Sequence, residues 1–263
     1  MLVYAKHGVG KTTLIASAVD VPEMNDVLMI DAESGEMSLE SNPRVKLADK
    51  IDRVRVSSFQ QVAHVQEFLK AHCLHRDNNN IDGLKNLESR FTGVPVSEIE
   101  TPRRYKTVLI DSVTEVNQFV MYQIMGQATD MKLTEANGDA ADMEVARFEE
   151  FRKSNQMMQL LIRAYRDLPI NVLMVCSEQY TQDEVKKFHY TPALTGKLSS
   201  QIQGFVDIVG YLKSGSIPEG GTEAPRRLFV QPVGNFDAKS RIAKLKQSYF
   251  DNPTMTTIMA AIK

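Results

Sequence analysis

Tryptophan is absent from this chain of 263 residues, cysteine occurs only twice, and charge of neither sign dominates. Nor does any apolar run approach the roughly 20 residues that a membrane-spanning helix requires. Each shortage excludes something. Cys73 and Cys176 both sit inside apolar patterns and are too few for a disulfide framework, so they read as reduced core thiols. With 31 Lys and Arg against 33 Asp and Glu, the net charge is -2, and no global cationic field advertises nucleic acid. Clustered cations can still make a local phosphate-binding patch. A basic segment ahead of the first apolar stretch is also missing, which argues against a secretory leader. The expectation is a cytoplasmic protein with no membrane association.

What is present is ordinary globular composition, 43% hydrophobic and 24% charged. Short apolar runs alternate with helical patterns, which predicts an α/β fold with a mostly parallel twisted sheet flanked by helices. Strands are predicted over 2–4, 27–30, 54–57, 107–110 and 171–176, the last being the most apolar and therefore central. Ser58 is placed to cap a helix carrying Val62, Val65, Phe68, Leu69 and Cys73. The longest helix is expected over 143–167, with Phe148, Phe151, Met158, Leu161, Ile162 and Tyr165 on one side. Residues 75–104 read as a polar excursion on the sheet's rim, and 178–197 as a polar loop. Two or more strands, including 205–212 and 227–231, precede a basic tail, and the whole of 1–263 counts as one domain.

The chemistry concentrates first at Ala5-Lys6-His7-Gly8-Val9-Gly10-Lys11-Thr12, which follows a strand and opens a helix. That is the setting of a Walker A phosphate loop. Backbone N–H groups of the loop form a concave anion site, and Gly8 and Gly10 allow the close approach a side chain would block. Lys11 can reach the β- and γ-phosphates of ATP, Thr12 can offer its hydroxyl to Mg²⁺, and Gly8, Val9, Gly10 and Thr13 complete the cradle. One departure stands out: Ala5 occupies the position where the pattern has its first glycine. Val108-Leu109-Ile110-Asp111 has the form of a Walker B strand, whose Asp111 would hold the magnesium shell, with Ser112 assisting. Asp31 and Glu33 end another strand. As an i, i+2 pair in extended chain they should share a side, with Glu33 polarising the attacking water and Asp31 structural. The bland reading of that pair is two solvated acids in a turn. No Asn-Lys-x-Asp guanine reader occurs, which favours ATP over GTP.

The set Gly8-Val9-Gly10-Lys11-Thr12, Ile30-Asp31-Ala32-Glu33, Leu109-Ile110-Asp111-Ser112, Val172 to Glu178 and Ala238-Lys239-Ser240-Arg241-Ile242 resembles the RecA-like recombinase ATPases. More narrowly, it is similar to compact phage-type members linked to single-strand annealing. The resemblance implies that Glu33 is the catalytic glutamate and that Ser177 and Glu178 sense the γ-phosphate. It implies that the following segment, with Lys186, Lys187, Phe188, His189, Tyr190 and Lys197, binds single-stranded DNA through cations and stacking rings. It also implies that Lys239 and Arg241 reach the ATP site of a neighbouring copy, so that a homo-oligomer completes the site in trans. A single-strand DNA-binding protein is a further implied partner, and host cytoplasm the implied location.

Between Lys213 and Lys246 seven Lys and Arg stand against three acids, which fits phosphate contact or simply a solvated basic strand end. Residues 126–142 fall where the family has its other DNA loop, but Asp130, Glu135, Asp139 and Asp142 argue against direct phosphate contact there. By the same resemblance, the N-terminal oligomerisation element of long recombinases is missing. A ring or short oligomer is therefore as compatible as a filament. The rival readings are a ring-forming helicase-like motor and an ATP-gated protein-binding switch indifferent to DNA.

Overall fold

The computed structural model describes residues 1–33, 50–125, 148–182, 186–217 and 224–263. Six parallel strands form its centre: β1 (Leu2–Ala5), β2 (Val27–Asp31), β3 (Ile51–Arg55), β4 (Thr107–Asp111), β5 (Asn171–Gln182) and β7 (Ile208–Ser214). Antiparallel strands extend the sheet: β6 (Phe188–Pro192) on β5, β8 (Arg226–Phe229) and β9 (Lys239–Ser240) on β7, and β10 (Tyr249–Asp251) on β8. The order is β10-β8-β7-β1-β5-β4-β2-β3. β1, β2 and β4 are buried along their whole length, as strands covered on both faces must be. β5 is central, between β1 and β4, as its apolar run predicts.

The helices divide between the two faces. Over one lie α2 (Phe59–Asp77), α3 (Ile81–Thr92), α4 (Val113–Ile124), α5 (Phe148–Arg166) and α6 (Leu198–Ile202), around a core of Tyr4, Leu69, Val108, Val120, Met158, Tyr165 and Cys176. Over the other lie α1 (Lys11–Ala16) and α7 (Met255–Ile262), around Val3, Ile15, Met29, Leu109, Val175, Leu228 and Ile258. Cys73 and Cys176 are both buried and free. Among the described residues no helix is long and apolar enough to cross a membrane.

Several expectations need correction. Residues 75–104 are not a bare excursion. α3 runs through them, capped where Asn80 accepts a 2.8 Å bond from the Gly83 amide and ended by Gly93 at φ 79°. Its Leu84, Leu87 and Phe91 turn inward, and Phe91 stacks on Phe68 at 3.9 Å between ring centroids. The run of three asparagines obscured that apolar spacing. β3 runs Ile51–Arg55 rather than 54–57, since its Asp52, Arg53 and Arg55 suit an edge strand and break the apolar signal. Segment 178–197 is not simply a loop: among its described residues β5 continues to Gln182 and pairs antiparallel with β6. Phe148 and Phe151 lie exposed on α5, whose buried stripe begins only at Ser154, where Asn117 of α4 meets it. The expectation about residues 126–142 lies outside the described residues.

The C-terminal helix α7 went unpredicted. A capping box between Thr254 and Thr257 starts it, and the Met255 amide donates to Ser17 Oγ at 2.8 Å, behind the phosphate loop's helix. Ile258 is fully buried against that same layer. Replacing it with Ala should cost about 2–4 kcal/mol of unfolding free energy. Urea denaturation checks this: an unchanged midpoint would mean that α7 does not pack as described.

Candidate active site

Because β1, β5, β4 and β2 are parallel, their C-terminal ends meet at one edge, where open α/β sheets hold ligands. The loop Lys6–Gly10 leaves β1 there. Gly8 and Gly10 adopt φ of 77° and 97°, the left-handed region, so both glycines are required by the backbone. Ala5, in contrast, is ordinary strand, paired with Ser177 of β5 and fully buried. The missing first glycine therefore carries no conformational cost. Val9 is half-buried against the α1 face, and Thr13 follows Thr12 in the first turn of α1.

Lys11 is almost wholly buried, and its ammonium donates to the carbonyls of Ala5 at 3.2 Å and Lys6 at 3.3 Å. Burial lowers its pKa, opposed by the negative charges of Glu33 and Asp111. Thr12 donates a 2.6 Å hydrogen bond to Asp111 Oδ2. Asp111 is 2% exposed, and its other oxygen, Oδ1, has no hydrogen-bond partner among the described residues. Burial pushes its pKa up to about 6, with Thr12 opposing and the charges of Glu33 and Asp31 reinforcing. An orphaned carboxylate oxygen beside a threonine hydroxyl is the donor set that a hard divalent cation takes, so Thr12 and Asp111 fit Mg²⁺.

Asp31 pairs in register with Asp111 and is equally buried, whereas Glu33 is exposed and accepts a hydrogen bond from Ser112 Oγ. The two acids are thus differently placed, Asp31 in the sheet and Glu33 over its edge. The Ala32 amide closes the gap between β2 and β4 by donating to the Asp111 carbonyl at 2.7 Å. On β5, Ser177 is buried next to Ala5, with its amide donating to Thr114 Oγ1 at 3.0 Å and its hydroxyl 3.5 Å from His7 Nε2. Lys11, Thr12, Asp111, Glu33 and Ser177 are therefore brought together, as the motifs predict.

Lys239 and Arg241 are not part of that group. Lys239 pairs with Val209, which pairs with Leu2 at the start of β1, the end of the strand remote from the phosphate loop. Arg241 donates to the Gly204 carbonyl at 2.7 Å, and burial with the neighbouring Arg241 charge lowers the Lys239 pKa. Within one chain neither cation serves the loop.

The hairpin residues are partly gathered. Phe188 and Tyr180 meet edge to face at 5.3 Å, with Tyr180 64% exposed, and Lys186 and Lys187 stand beside them at the outer end. Tyr190 lies one step inward, stacked on Tyr211, and Lys197 sits apart at the start of α6. Tyr180 was missed because a lone tyrosine among polar residues carries no periodic signal. Arg226 was missed as well: its guanidinium lies against Gly10, and only the sheet order brings those positions together.

A glycine-hinged anion loop on a parallel sheet, with its lysine, its threonine and a carboxylate on the next strand but one, defines a P-loop nucleoside triphosphatase. The family model described as "AAA domain" matches residues 1–242, and the chain belongs to that family of P-loop ATPases. No curated protein matches the chain.

Because the folded Asp111 pKa lies above its unfolded value of 3.8, the folded state binds that proton more tightly. Stability then falls as pH rises through the window from about 4 to about 6. Asp111→Asn should therefore stabilise the ligand-free protein by on the order of 2 kcal/mol at pH 7.5, a gain that fades below about pH 6, while it weakens magnesium-dependent nucleotide binding. Thermal melts across pH, with calorimetric titration of the nucleotide, check both signs. A destabilised variant at pH 7.5 would refute the assignment.

Proposed function

We propose that the chain is a RecA-like, Mg²⁺-dependent ATPase that binds single-stranded DNA and promotes annealing or strand pairing as a homo-oligomer. Three features support the RecA-like reading. Asp111 is followed by Ser112 rather than by a second acid, the carboxylate that reaches this edge comes from β2 as Glu33, and an antiparallel β-hairpin grows from the strand beside the loop. In this reading Lys11 neutralises the β- and γ-phosphates, and Glu33, held by Ser112, orients the attacking water. Mg²⁺, when bound at Thr12 and Asp111, supplies further charge compensation between those phosphates. Lys239 and Arg241, unavailable to their own loop, serve the site of an adjoining copy.

The observation that carries the DNA reading is the continuity of β5. One strand runs from Ser177, paired with Ala5 at the loop, to Gln182, opposite Phe188 at the aromatic end of the hairpin. Base stacking on Tyr180 and Phe188 and phosphate contact with Lys186 and Lys187 suit a single strand without sequence preference, and each stacked base is worth about 1–3 kcal/mol. A partner such as a single-strand DNA-binding protein would share that strand.

The test is ATP turnover with and without single-stranded DNA. The wild type should be stimulated severalfold, and Tyr180→Ala/Phe188→Ala should lose stimulation while keeping its basal rate. DNA-indifferent hydrolysis would instead indicate a protein-binding switch, and unwinding of a forked duplex a helicase-like motor.

A further inference from the structure

β8 begins with two adjacent arginines whose surroundings differ. Arg227 is satisfied structurally: Nε donates to Asp251 at 2.7 Å and the guanidinium lies over the Tyr249 ring at 4.0 Å. Arg226 faces the other side of the strand, the side of Leu228, which is buried in the cluster that includes Leu14 and Ile15 of α1. Its side chain reaches the phosphate loop. A Cβ built on Gly10 would stand 2.5 Å from Arg226 Nη1, so the guanidinium rests directly on that glycine. The reach is held from behind: the Arg226 amide donates to Asn252 Oδ1 at 3.0 Å, and the Asn252 amide donates to the Arg226 carbonyl at 2.6 Å. Among the described residues no carboxylate pairs with Arg226, although it is half-buried.

A guanidinium set against a loop that already carries Lys11, with no carboxylate paired to it among the described residues, is electrostatically costly. An anion bound at Gly10 removes that cost, and the planar fork of Arg suits phosphate oxygens. The sheet order indicates which phosphates. From β1, the Asp111 strand lies two positions to one side and β8 two positions to the other. Asp111 and Glu33 mark the γ end of the bound nucleotide, so Arg226 stands at the opposite end.

We infer that Arg226 is a nucleotide contact supplied in cis, holding the α/β-phosphate end of ATP that ATP and ADP share. It is thus a positioning residue rather than a participant in phosphoryl transfer. This rests on the assignment of Lys6–Thr13 as the ATP site.

Calorimetric titration of wild type, Arg226→Ala, Arg226→Lys and Arg227→Ala with ADP and with a slowly hydrolysed ATP analogue tests it, alongside steady-state turnover. Arg226→Ala should raise both Kd values by similar factors, roughly tenfold or more, and raise KM with kcat nearly unchanged. Arg226→Lys should recover part of the affinity, and Arg227→Ala, from the same strand, should bind as wild type does. Unchanged Kd values for Arg226→Ala, or a loss confined to the ATP analogue, would overturn the inference. If Arg226→Ala melts early, the comparison of Arg226→Lys with wild type decides in its place. Lys11→Ala separates the two levels: a wild type that binds neither nucleotide, or binding that survives Lys11→Ala, would overturn the ATP-site assignment itself.

Discussion

Thr12 and Asp111, 99 residues apart in the chain, are joined by a 2.6 Å hydrogen bond that ties the phosphate loop to β4 across the end of the intervening β5. The rest of the site depends on that contact being possible. It requires that α1 begin at the C-terminal end of β1 and that β4 end at the same level two strands away, which only an in-register parallel sheet provides. Burial on both faces makes this register hard to shift, since a one-residue slip would turn every core side chain of β1 or β4 to the wrong face.

The same burial sets the electrostatics. Lys11 and Asp111 are each driven toward their neutral forms by desolvation, and they oppose that tendency in one another only in part. Among the described residues Asp111 Oδ1 has no partner, and Arg226 rests on Gly10 with no carboxylate paired to it. These local costs gather at the edge where the phosphate loop lies.

The sheet edge at the loop and the hairpin are joined through α4. Thr114 and Asn117, on the helix that follows Asp111, hold the Ser177 amide and, through the Asn117 side-chain oxygen, the Thr195 amide and hydroxyl. These bonds fix both ends of the hairpin's base to α4, while its aromatic end projects from the sheet. Tyr211 adds a third tie by donating to Glu178 at 3.1 Å.

The sequence by itself determined the parallel α/β class, the phosphate loop, the Asp111 strand and the cap at Ser58, since each rests on local spacing. Glu33 was legible because a carboxylate at a strand's end must meet the loop if the strands are parallel. What the sequence did not carry depends on which distant segments become neighbours. Ala5 needed no glycine because its pairing with Ser177 makes it strand. The end of β5 and β6 pair as antiparallel strands because β5 offers a free edge beyond the sheet, a pairing that no periodic apolar pattern announces. Lys239 and Arg241 lie at the far end of the sheet, and Arg226 at the near one, because of the antiparallel strands appended to β7. Sheet order is a property of the whole packed chain, and no local pattern encodes it.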